Sequence, residues 1–159
     1  MFSAIPEIPL LIAQLVISSM MTGMIWQVQL LTYPQFRKIS AKSFHGLHAF
    51  HSERMGWLVM IPMILELALA TLYLFAFQNI ISLLAFVAVS MIWASTAFLQ
   101  VPLHWKLGQG HDPVAIDRLV RTNWIRTALW SIRTALLTAM LLKATNTNMG
   151  GFFKFAGFS

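Results

Sequence analysis

The sequence predicts an all-α protein, a four-helix transmembrane bundle forming a single integral membrane domain over residues 1–159. Three observations predict it. Of the 159 residues 58% are hydrophobic and only 10% charged, whereas a soluble domain of this length carries about 25% charged residues, or roughly 40. The 16 charges present are unevenly spread, leaving residues 8–36 and 67–105 free of any formal charge. Each gap exceeds what a buried core helix needs and suits the roughly 20 apolar residues of a membrane span.

The first span is expected over about 8–31, closing at Tyr33-Pro34, where proline turns the preceding residue away from helix. Gln14, Ser18, Ser19, Thr22, Gln27 and Gln29 form a polar stripe on it that must face protein. Nothing before this span resembles a basic leader, and the apolar run is too long for a signal-peptide core, so it is expected to be retained. The second span, about 57–77, contains Glu66 and extends backwards through Arg54, His51, His48 and His45 to a cap at Ser43. Gln78-Asn79 is the only polar break before the third span, about 80–101, so the second and third helices form a tight hairpin. Pro102 marks the exit or a kink. Asp112-Pro113 then supplies a cap and a first-turn proline for a helix that could run to Lys143, about 46 Å at 1.5 Å per residue. Its membrane part is expected over about 123–142, and Asp117 and Arg121 at i,i+4 spacing would pair on its extension. The tail, from Gly150 to Phe158, is aromatic and glycine-rich and suits a membrane interface.

The net charge of +6 could indicate nucleic-acid binding, but its placement speaks for topology. Arg37, Lys38, Lys42 and Arg54 lie between the first two spans, and Lys106, Arg118 and Arg121 between the last two. Positive charge favours the cytoplasmic side, which predicts N-out, C-out topology, cytoplasmic extensions of the second and fourth helices, and a bacterial inner (cytoplasmic) membrane. With no cysteine, neither disulfides nor thiolate metal sites arise.

Glu66 and Arg133 carry the most information, because a charge at the bilayer centre costs about 2.5–3.5 kcal/mol on insertion scales. Measured from Trp57 and Trp124 as interfacial anchors, each lies nine residues in, roughly 14 Å at 1.5 Å per residue. Their equal depth predicts a bidentate carboxylate–guanidinium contact inside the bundle. Asn123, Arg126, Trp130 and Arg133 share one face of the fourth helix. His48, His51, Met55, Val59, Pro62 and Glu66 share one face of the second, and Thr96, Gln100 and His104 one face of the third.

These stripes predict a polar pocket opening to the cytoplasm, built from the second, third and fourth helices and closed at the midplane by Glu66 and Arg133. In it Arg133 and Arg126 would hold an oxyanion or carbonyl and Glu66 would exchange a proton. His48, His51, Gln100, His104, Asn123, Arg126 and Trp130 would bind the molecule. Buried arginine and glutamate can also serve helix register alone. Histidine suits zinc, copper and iron, but no HExxH or Glu-x-x-His spacing occurs and Glu53 is the only nearby carboxylate, so no metal site is expected. The ten methionines could bind Cu(I) through their thioethers but read first as adaptable filler.

The chain from roughly Tyr33 to Leu137 resembles a family of small four-helix bacterial membrane proteins of unknown function grouped with anthrone-oxygenase-like proteins. The resemblance lies in Tyr33-Pro34, Phe44 with His48, Pro62 with Glu66, Val101-Pro102-Leu103-His104 with Leu107, and Trp130 with Arg133-Thr134. It implies a polar intramembrane pocket around Trp130 and Arg133 and oxygen-dependent chemistry on a flat aromatic substrate without a bound metal. Related proteins often carry a histidine between that tryptophan and arginine; here Ser131 and Ile132 occupy the interval.

The function expected from these residues is binding of a small, flat or oxyanionic molecule, with oxidoreductase chemistry as an extension and no cofactor specified. The alternative is a non-enzymatic accessory subunit of a larger membrane complex, or a homo-oligomer, holding lipid, quinone or pigment. A transporter is disfavoured by the lack of repeats or paired broken helices.

Overall fold

The computed structural model describes residues 6–155, with side chains for residues 6–146. Four helices follow one another: α1 (Glu7–Phe36), α2 (Ala41–Phe77), α3 (Ile80–Gly108) and α4 (Pro113–Phe155). All four are long and apolar enough to cross a membrane. Each packs against the next, and α4 closes the ring against α1. The outer surface is apolar, with Val16, Phe50, Trp57, Phe98 and Ile132 among many large side chains exposed. The expected interfacial tail from Gly150 to Phe158 falls beyond the described side chains.

Local sequence accounts for the helix ends. The α2 cap is Ser40, whose hydroxyl accepts the Ser43 backbone N–H, so the cap lies one turn earlier than Ser43. At the α2–α3 hairpin Gln78 takes a left-handed φ of 43°, and Asn79 with Ser82 closes a reciprocal capping box. Asp112 caps α4 as expected, accepting the Ala115 N–H at 3.0 Å. Lys106 pairs with the same carboxylate at 2.6 Å, and with these hydrogen bonds it holds the Asp112 carboxyl below the usual carboxylate range. Asp117 pairs with Arg37 at 2.6 Å rather than with Arg121, tying the α1–α2 loop to α4.

Two helices run on where proline was expected to end or kink them. α1 continues through Tyr33-Pro34 to Phe36, and α3 through Pro102 to Gly108. Both do so by widening into a π turn just before the proline, at Val28–Thr32 and Thr96–Gln100. A proline ring in a regular helix collides with the carbonyl four residues back, here Leu30 and Phe98, each in the middle of its π turn. The wider turn relieves that collision and inserts one residue into the helical register.

The interior has two apolar clusters. One, toward the basic loops, gathers Met21, Ile25, Phe36, Phe44, Ile92, Leu107, Ile116 and Trp130. The other, toward the α2–α3 hairpin, gathers Leu10, Leu11, Tyr73, Ala85 and Leu137. Gln14, Glu66 and Arg133 form a buried polar layer between them.

Candidate functional site

The polar layer is built around Arg133. Glu66 and Arg133 are both 0% exposed, and Arg133 Nε donates to Glu66 Oε1 at 3.4 Å. The contact is single, not bidentate, because the other carboxylate oxygen is taken by Trp130 Nε1 at 2.9 Å. The guanidinium completes its shell with the Ala85 carbonyl at 2.6 Å and Gln14 Oε1 at 3.1 Å. Four helices thus converge on one buried charge pair. Its donors and acceptors are directed at protein groups, as a low-dielectric interior demands.

A cavity of about 460 Å³ lies on the loop side of this layer, within the range of small-molecule pockets. His48, His51, Gln100, His104, Arg126 and Trp130 line it. Glu66, Arg133 and Asn123 do not. The floor is Trp130, fully buried, with Glu66 bonded to its indole from behind. The expectation that the charged pair closes the pocket is therefore corrected: Trp130 lines the cavity, and neither Glu66 nor Arg133 does. The pocket also takes a wall from α1, through Met21, Met24, Ile25, Val28 and Tyr33, so four helices build it rather than three.

Tyr33 is the residue that sequence reasoning missed. It lies one position past the π turn, its ring buried and its hydroxyl 2.9 Å from His104 Nε2. His104 Nδ1 is 3.1 Å from His48 Nε2, with the Ser52 hydroxyl 3.3 Å from the latter. Arg126 Nη2 donates to the Tyr33 oxygen at 3.2 Å. Arginine can only donate, so the Tyr33 oxygen accepts from Arg126, while the Tyr33–His104 and His104–His48 contacts each carry one proton whose side is set by the histidine tautomers. His51 makes ring contacts with Tyr33, Phe36 and His104.

Asn123 sits behind Arg126 as its holder. Its Oδ1 accepts from both Nε and Nη2 of Arg126, and its Nδ2 donates to Gln29 Oε1 at 2.8 Å. Gln29 in turn donates to the Val120 carbonyl at 3.2 Å. Gln100 is tied at both ends, to Ser95 and Thr122. The rest of the lining is apolar, including Met21, Met24, Met55 and Met60, whose unbranched side chains adapt to variable shapes.

No protein family, curated protein or solved structure matches the chain.

Proposed function

We propose that this is an integral membrane protein of the bacterial cytoplasmic membrane, with both termini outside, that binds a small molecule bearing an oxyanion or carbonyl in the four-helix cavity. The observation that carries the reading is Arg126. It is 6% exposed, lines the cavity and, among the described residues, hydrogen-bonds only to the neutral groups Asn123 and Tyr33. A guanidinium withdrawn from water without a carboxylate is costly, and an oxygen-bearing ligand would offset that cost. The Trp130 floor offers a flat apolar surface to the body of such a molecule. Tyr33 and His104, adjoining Arg126, are the groups placed to exchange a proton with it. Glu66 and Arg133, behind the floor, serve to position Trp130.

Native mass spectrometry and an absorption spectrum of the detergent-purified protein test this. The wild type should retain a small molecule, and Arg126→Gln should lower its occupancy about tenfold or more, since a charge-assisted hydrogen bond contributes about 1.5–3 kcal/mol. A wild-type protein that retains nothing, or a variant that retains the molecule equally, would overturn the reading. A stoichiometric protein partner on an empty cavity would favour the accessory-subunit role.

A further inference from the structure

Among the residues lining the cavity, four are exposed: Gly56 and Met60 on α2, Val101 and Trp105 on α3. The cavity therefore opens sideways, through a window between these two helices. Its rim is uncharged and well exposed, with Met60 at 42%, Val101 at 56% and Trp105 at 72%. Trp57, on the turn of α2 beside Gly56, is exposed as well. Tryptophans belong where headgroups meet acyl chains, so in a membrane this window faces the lipid near its interface.

The charge inside the window is equally defined. The chain has five acidic residues, and none answers Arg126. Glu66 meets Arg133, Asp112 meets Lys106 and Asp117 meets Arg37. Glu7 accepts from Tyr73, and Glu53 is exposed on α2. Among the described residues lining the cavity Arg126 is the one Arg or Lys and no Asp or Glu joins it, so the wall presents a guanidinium and calls for one negative charge. Nη1 of Arg126 has no hydrogen-bond partner among the described residues. Met55, Val59 and Met60 line the same cavity as Arg126, an apolar wall whose methionines adapt to shape.

The geometry points to a lipid-soluble acid as the occupant: a single carboxylate on one apolar chain or ring system, reaching Arg126 sideways from the bilayer through the α2–α3 window. This rests on the membrane placement and cavity occupancy proposed above. An anion arriving from water would have to shed its hydration at an apolar rim, whereas an amphiphile already in the leaflet needs only to slide its headgroup inward. A phosphomonoester would bring a second charge with no partner.

The protein in phosphatidylcholine nanodiscs provides the test, with binding of radiolabelled palmitate and of methyl palmitate read against protein-free discs. Palmitate should bind saturably, and its methyl ester at least tenfold more weakly. Gly56→Phe should lower palmitate binding at least tenfold by filling the window. A Cβ at Gly56 meets nothing within 4 Å, so a side chain can be added there without a clash at that atom. Val101→Trp, narrowing the window from α3, should act alike and guards against a fold defect in the first variant. Equal binding of acid and ester, or unaltered binding in both window variants, would overturn the inference and leave the cavity reading standing. Competition by phosphatidylglycerol as strong as by unlabelled palmitate would reassign the headgroup to a phosphodiester. No palmitate binding while native mass spectrometry finds another molecule would overturn the inference alone; no retained molecule of any kind would overturn both.

Discussion

Arg126 and Arg133 lie two turns apart on one face of α4, and both are buried, yet their surroundings differ in kind. Arg133 is enclosed by Glu66, the Ala85 carbonyl and Gln14. Arg126 rests on an asparagine and a tyrosine beside open space. Burial is the same; charge balance is not. A buried cation with a carboxylate partner is balanced within the fold, whereas one beside a cavity without such a partner is not, which is the difference on which the proposed ligand site rests.

The sharpest way to break this distinction is to unbalance Arg133. Glu66→Gln or Arg133→Leu alone should each cost about 3–5 kcal/mol, because each strands a buried polar group without its partner. The pair Glu66→Gln with Arg133→Leu should lose distinctly less than the sum. Reversible unfolding in mixed micelles would measure this cycle, and additive losses would show that the two side chains do not act together.

Trp130 stands between the two regions and should respond with a smaller effect. Trp130→Phe keeps an aromatic floor but leaves Glu66 Oε2 without its donor, at a cost of about 1–3 kcal/mol. The same unfolding assay should register that loss while ligand occupancy changes little. A variant as stable as the wild type would mean that the indole hydrogen bond contributes nothing.

The smallest expected effect lies outside the bundle core. The Asp112 carboxyl is held below its usual range by Lys106 and the start of α4, so its folded-state pKa lies below its unfolded value. The stability it contributes is present above the ordinary carboxylate pKa, about 3.9, and disappears as pH falls through the lower folded value. In Asp112→Asn the stability near neutral pH should be slightly lower and the loss on acidification should lack that segment, so that variant and wild type converge at low pH.

Much of this organisation was legible in the residues. Counting from Trp57 and Trp124 brought Glu66 and Arg133 to one height because straight helices rise uniformly, and they do touch at 3.4 Å. The stripe from Asn123 to Arg133 is buried throughout, since helical periodicity persists where no proline intervenes. Tyr33 was hidden by the reading of Tyr33-Pro34 as a helix end. Proline alone could not have found it: Pro34 and Pro102 each follow a π turn, whereas Pro62 lies inside α2 with none. The partner of Asp117 was misplaced for another reason: Arg37 lies far away in sequence, and i,i+4 spacing reports only local neighbours. That Trp130 separates the ion pair from the cavity depends on side-chain direction, which spacing along a helix does not specify.

The two π turns have a joint consequence. Tyr33 and His104 each sit just beyond one, and they meet at 2.9 Å. Restoring regular helix in either strand of the bundle would swing everything downstream by about 100°, carrying that residue off its partner. The wall of the cavity is thus a phase offset kept in step between two helices, and a lone one-residue deletion in either would dissolve it while sparing the ion-paired layer beneath.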